Sequence, residues 1–210
     1  MNTNLTELVF VLDRSGSMAS LTADTIGGYN TMIEKQKQEQ GDAIVTTVLF
    51  DDKYELLHDG IDVQKLEPLT DKQYYARGIT ALLDAVGKTI VAMDKKYGKL
   101  PDSMIPEKVL FVITTDGMEN ASCEYSQGGI KAMIEAHKEK GWEFIFLGAN
   151  IDAVEVGGSM GIGADRSVSY KADKVGTAMN FMTMSCVASA VRGRRGINKD
   201  WKADIEKHNK

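Results

Sequence analysis

Four short runs, apolar almost throughout rather than alternating, constrain this 210-residue chain most: Leu8 to Leu12, Ile44 to Phe50, Val109 to Ile113 and Phe144 to Leu147. A strand with one wet face alternates apolar and polar residues, whereas runs of this kind belong to strands covered on both faces. Between them, apolar residues recur at helical spacing. Ile26, Tyr29 and Ile33 form one such face, Leu82, Leu83, Val86, Ile90, Met93 and Tyr97 a second, and Ile130, Met133, Ile134 and His137 a third. Strands alternating with helices predict an α/β fold, a mostly parallel central sheet with helices on both faces.

One link departs from that rule. Asp51-Asp52-Lys53 joins Ile44 to Phe50 with Tyr54 to His58 and is too short for a crossover, so the pair is expected to be an antiparallel hairpin that adds one edge strand. A last strand is expected around Ser167 to Tyr170, followed by a helix from Asp173 to Val191 with Asp173 as its cap. The small residues and methionines of that helix, Ala178, Met179, Met182, Ser185 and Ala188, predict close packing on the sheet. Gly27-Gly28 inside the first helix predicts a close approach to a neighbouring element, and Gly157, Gly158, Gly161 and Gly163 read as an irregular connection. No repeat or linker divides the chain, so a single domain over 1–210 is expected.

Composition narrows the function classes. A formal net charge of -5 and a pI near 5.3 argue against sequence-independent nucleic-acid binding, which needs clustered cations to displace counterions. The one basic cluster, Arg192, Arg194 and Arg195, reads as cations that complement a helix carboxyl end. No apolar run approaches roughly 20 residues, so neither a membrane span nor a membrane partner is expected. Met1 leads almost directly into the first strand, and the expected location is cytoplasmic. Cys123 and Cys186 lie in dissimilar contexts and are expected to be reduced thiols. His58, His137 and His208 show no zinc spacing. Gly87-Lys88-Thr89 lacks the glycine that a phosphate-binding loop requires at position 82, where Leu82 stands.

The chemistry collects at the carboxyl ends of the expected strands. The first run ends in Asp13-Arg14-Ser15-Gly16-Ser17, whose aspartate and alternate serines offer hard oxygen donors suited to magnesium. The run Val109 to Ile113 continues into Thr114-Thr115-Asp116-Gly117, again a buried strand ending in an acid and a glycine. Gly78-Ile79-Thr80-Ala81-Leu82 places a hydroxyl just before the second helix. In open α/β sheets this edge is where ligands bind. Ser15 lacks the flanking glycines of a hydrolase nucleophile, and no expected loop supplies a histidine base.

In motif order and in the spacing of strands and helices from Glu7 to about Val191, the chain resembles the von Willebrand factor type A domain with its metal ion-dependent adhesion site. The resemblance implies a Rossmann-like fold and a metal site built from Asp13, Ser15 and Ser17 in the first loop, Thr80 in the second and Asp116 in the third. It implies Mg²⁺ there, with Mn²⁺ or Ca²⁺ as substitutes, held directly by hydroxyls and through water by the aspartates. It also implies a binding module, not an enzyme, whose metal bridges to an Asp or Glu of a protein partner. The likeness extends to stand-alone intracellular bacterial and phage members of the tellurium-resistance and stress-cluster type. Two other functions remain open at this point. One is a regulatory subunit of an ATPase complex whose nucleotide site lies on another chain. The other is a magnesium-dependent phosphotransfer enzyme with Asp13 as nucleophile, although Ser15 stands where such enzymes carry a second aspartate.

Overall fold

The computed structural model describes residues 1–209. Six strands form one sheet: β1 (Asn2–Asp13), β2 (Asp42–Phe50), β3 (Tyr54–Asp62), β4 (Pro106–Thr115), β5 (Trp142–Ala149) and β6 (Ser167–Tyr170). Their order is β3-β2-β1-β4-β5-β6, and every neighbouring pair is parallel except the β2–β3 hairpin. The helices are α1 (Thr22–Lys37), α2 (Leu82–Tyr97), α3 (Gln127–Glu139), α4 (Ala153–Ser159), α5 (Lys174–Arg192) and α6 (Ala203–His208). The expected α/β architecture, with its antiparallel edge, is the one observed.

The continuous apolar runs follow from the pleat. Successive side chains of a strand point to opposite faces, and on β1 both faces are roofed. Leu8, Phe10 and Leu12 pack with Tyr29 and Met32 of α1 and Phe181 and Met184 of α5. Val9 and Val11 pack on the other face with Val86 and Ile90 of α2 and Ile130 and Ile134 of α3. Burying a side chain of this kind contributes roughly 1.5–3 kcal/mol, so both layers hold β1 in place. The chain starts from β1 in both directions, β2 on one side and β4 on the other, which makes the β1/β4 boundary the topological switch point.

The glycine pair in α1 divides in two. A Cβ on Gly28 would run into the Phe181 ring, so glycine there admits α5 against α1. Gly27 has nothing within 4 Å of the equivalent position, and close approach does not account for it. Further along the same contact, Gln36 Nε2 donates to Ser185 O at 3.0 Å. Arg192 donates to Glu39 O at 3.2 Å and Gly41 O at 2.8 Å, as well as to Gln36 O. The arginine thus complements the carboxyl end of α1, a neighbouring helix rather than its own.

Two expectations are corrected. Gly157 and Gly158 lie in a helix, α4, because Asp152 caps it by accepting from the Val154 and Glu155 N–H groups, each at 3.0 Å. Gly157 belongs there because Ser167 Oγ fills the place of a Cβ. In α5, Ser185 and Ala188 are buried as expected, but Ala178 and Met182 are exposed. They stand on the lip of a 390 Å³ groove between α1 and α5, beside the buried stripe through Thr177, Phe181, Met184 and Ala188, of which Phe181 also lines the groove.

The Asp173 cap of α5 forms as expected, its carboxylate accepting from Gly176 N–H at 2.7 Å. The segment after α5 closes over β6. Lys202 Nζ donates to Ser167 O at 2.9 Å, Trp201 Nε1 to Asp165 O at 2.8 Å, and Asn209 Nδ2 to Ser169 O. Both cysteines are free thiols at the surface. Among the described residues, no helix is long and apolar enough to cross a membrane.

Candidate metal centre

Three loops meet over the carboxyl end of β1 and β4, tied together by backbone hydrogen bonds. Gly16 N–H donates to Gly78 O at 3.1 Å, Arg77 N–H to Arg14 O at 2.8 Å, and Asn120 N–H to Thr80 O at 3.1 Å. Asn120 Oδ1 returns the last contact by accepting from Thr80 N–H at 2.9 Å. Gly78 has φ +66° and faces Asp52, so a side chain there would be strained and blocked at once.

Within this frame Asp13 is fully buried. Its Oδ1 accepts from Ser15 N–H at 2.6 Å, and its Oδ2 accepts from the Thr115 hydroxyl at 2.5 Å. Ser15 Oγ and Ser17 Oγ lie 3.1 Å apart, and the Ser17 hydroxyl donates to Asp116 Oδ1 at 2.5 Å. Thr80 completes the cluster from the other loop, its Oγ1 lying 2.7 Å from where a Cβ on Gly117 would be. All five residues singled out from the sequence are therefore brought together. Burial falls off outward, from Asp13, Ser15 and Thr80 inside to half-buried Asp116 and exposed Ser17, so the cluster opens to solvent.

The electrostatics are one-sided. Burial pushes the Asp13 carboxyl up to about 6, against the hydrogen bonds from Thr115 and Ser15, and the neighbouring Asp116 pushes the same way. Burial also raises the Asp116 carboxyl. The nearest cations are committed elsewhere. Arg14 Nε and Arg77 Nε both donate to Asp51 Oδ2, at 3.1 and 2.6 Å, and Arg14 Nη1 pairs with Glu55 at 2.7 Å. Although burial opposes it, these guanidiniums hold the Asp51 carboxyl below its ordinary value. Two carboxylates and three hydroxyls thus converge with no counter-charge among the described residues, a hard-oxygen set that fits a small dication. Among the described residues no trio of His, Cys, Asp or Glu comes together, since here hydroxyls take the place of further acids.

Several contributors carry no signal in the sequence. Thr115 holds Asp13, and Tyr74 donates to Asp13 O at 2.5 Å. Glu119 accepts from Leu83 N–H at 2.9 Å and Ser122 N–H at 2.7 Å. Asp84 accepts from the N–H groups of Cys123, Glu124 and Tyr125 at 3.0, 2.9 and 2.9 Å. These two acids build the loop after Asp116 and fasten it to the start of α2. Their partners across the two elements lie 36 to 41 residues away in the chain, and only Asp116 and its glycine announce the loop locally.

No protein-family model and no curated protein sequence matches the chain. Solved structures do match. The vWF domain of the type V pili tip protein Mfa5 from Porphyromonas gingivalis is 10% identical with a TM-score of 0.67, covering 94% of this chain and 99% of that one. The manganese-loaded TRAP protein of Plasmodium vivax is 17% identical with a TM-score of 0.58, over 87% and 75%. Proximal thread matrix protein 1 from the mussel byssus, in a structure with a zinc-occupied MIDAS motif, is 13% identical with a TM-score of 0.59, over 89% and 46%. The chain spans less than half the length of the mussel protein. At these identities the likeness is one of fold, and the fold is the Rossmann-like von Willebrand factor type A fold.

Proposed function

We propose that this chain is a metal-dependent protein-binding module in which Asp13, Ser15, Ser17, Thr80 and Asp116 hold Mg²⁺, with Mn²⁺ able to replace it. The observation that carries this reading is the convergence of the Asp13 and Asp116 carboxylates with three hydroxyls at an open sheet edge, with both neighbouring arginines diverted to Asp51. When bound, the dication supplies a Lewis-acidic position that accepts a carboxylate oxygen from a partner's Asp or Glu. The chain's own residues do the rest. The neutral hydroxyls of Ser15, Ser17 and Thr80 add donor atoms without adding charge, so the two aspartates alone balance the ion. Exposed Ser17 and half-buried Asp116 leave the outer side accessible. The occupied MIDAS motif of the mussel protein and the manganese-loaded state of the Plasmodium protein support the choice of a divalent ion.

The module works by binding rather than turnover. Asp13, the candidate nucleophile of a phosphotransfer enzyme, is buried with each carboxylate oxygen accepting a hydrogen bond, from Ser15 and Thr115, and Ser15 stands where such enzymes carry a second aspartate, which favours a metal-holding role over attack. The net charge of -5 favours a protein partner over nucleic acid. Two exposed free thiols suit a reducing compartment, the cytoplasm, in a bacterial or phage setting. Titration calorimetry tests the reading. Mg²⁺ and Mn²⁺ are expected to bind the wild type and not the Asp13→Ala variant, and undiminished binding by that variant rules the site out.

A further inference from the structure

Beside the metal centre, the loops that follow β4 and β5 enclose a groove of 600 Å³ against the first turn of α2. Leu82, Leu83, Met118, Ile151, Val156 and Met160 make it apolar. It is continuous with the metal centre in the chain, because Met118 and Glu119 follow Asp116-Gly117 directly. Met118 is 69% exposed and Ile79, which precedes Thr80, is 54% exposed, so large apolar side chains flank the metal loops on both sides. Apolar surface gathered in this way marks an interaction site.

The mouth of the groove is acidic. Glu119, Asp152 and Glu155 line it, and among the described residues no lysine or arginine does. Glu119 is spent on the N–H groups of its own loop and α2, and Asp152 is spent on capping α4. Glu155 makes no ion pair among the described residues and faces solvent. The far wall is seated in advance. Ile151 packs over Gly148, where a side chain would collide with it, and Asn150 beneath it adopts φ +54° with its Oδ1 accepting from Ala172 N–H at 3.1 Å. A pre-formed wall spares a partner the cost of ordering it.

We propose that this groove is the specificity subsite of the metal centre. It takes a partner segment whose acidic residue meets the metal, whose neighbouring bulky apolar side chain enters between Met118 and Ile151, and whose lysine or arginine meets Glu155. The inference rests on the metal-dependent reading above, and charge complementarity selects the partner: the acidic mouth repels a second carboxylate and favours a cation.

Short synthetic peptides test it, each with one central Asp or Glu and with flanks that join leucine or phenylalanine to lysine, that join them to glutamate, that carry lysine alone, or that are alanine throughout, measured by fluorescence anisotropy with Mg²⁺ and with chelator. Apolar-plus-basic flanks are expected to bind about tenfold more tightly than alanine flanks, and only with Mg²⁺. Glu155→Lys is expected to turn the preference for lysine into one for glutamate, and Met118→Ser to erase most of the apolar preference. Mg²⁺ affinity by calorimetry stays unchanged in both variants. Magnesium-dependent binding that ignores the flanks, or a lysine preference that survives Glu155→Lys, overturns the subsite and leaves the metal reading standing. If no peptide shows magnesium-dependent binding, both readings fall.

Discussion

Strand β1 carries two fully buried carboxylates, Glu7 at its middle and Asp13 at its carboxyl end, and the two are treated in opposite ways. Glu7 is neutralised: Lys96 Nζ lies 2.6 Å from its Oε1, the Tyr97 hydroxyl donates to Oε2 at 2.6 Å, and Thr46 donates at 2.5 Å. Asp13 receives neutral donors only, with a second carboxylate nearby and the adjacent guanidinium of Arg14 turned away to Asp51. A buried acid with its counter-ion is structural cement. The same acid left without one draws a cation, and it stands where the chain order reverses.

The largest effect is expected at the neutralised carboxylate. Lys96→Met strips the cation from a buried carboxylate and should destabilise the fold by about 3–5 kcal/mol, measured as a shift in the urea midpoint. Adding Glu7→Gln should recover most of that loss, and a failure to recover would break the contrast between the two carboxylates. At the open end, Asp13→Asn should weaken Mg²⁺ binding about ten- to hundredfold, by analogy with the loss of a group that orients metal ligands, measured by calorimetry.

Protonation gives a finer measure. Because Asp13 must be ionised to serve a cation and its carboxyl is raised to about 6, Mg²⁺ affinity should fall about tenfold for each pH unit below that value. Calorimetry at pH 5 and pH 7 checks it. The smallest effect has the opposite sign to the first. With its folded pKa raised from 3.8 to about 6, Asp13 contributes stability that is fully present below 3.8 and is lost as pH rises through 6. In chelator at pH 8, Asp13→Asn should therefore be more stable than the wild type by about 1–2 kcal/mol, and thermal melts should show that gap closing toward pH 4. A mutant less stable than the wild type at pH 8 would mean that the hydrogen bonds of Asp13 outweigh its unbalanced charge.

The convergence of the five residues of the proposed site was legible because each sits at the end of an apolar run or just before a helix, where a change from apolar to oxygen-bearing side chains is visible locally. Thr115, Glu119, Asp84 and Tyr74 were not, since the contacts that tie them to the site or to α2 reach partners far along the chain. The strands were legible because two-sided burial leaves unbroken apolar runs. Helix α4 was hidden by Gly157 and Gly158, which read as loop when the close approach of Ser167 is unknown. Arg192 was recognisable as a complement to a helix end, but which helix depended on the packing of α5 beside α1. The exposure of Ala178 and Met182 had the same cause, because small residues and methionines suit a groove lip as well as a core.

The two flanks of the sheet are unequal. On β6 the outward carbonyls of Ser167 and Ser169 are taken by Lys202 and Asn209, whereas β3 has β2 on one side only. A molecule with one receptive flank can add a single neighbour through it and has no second flank to pass the contact on. Edge-wise self-association of this chain would therefore stop at a pair and could not run on into a filament.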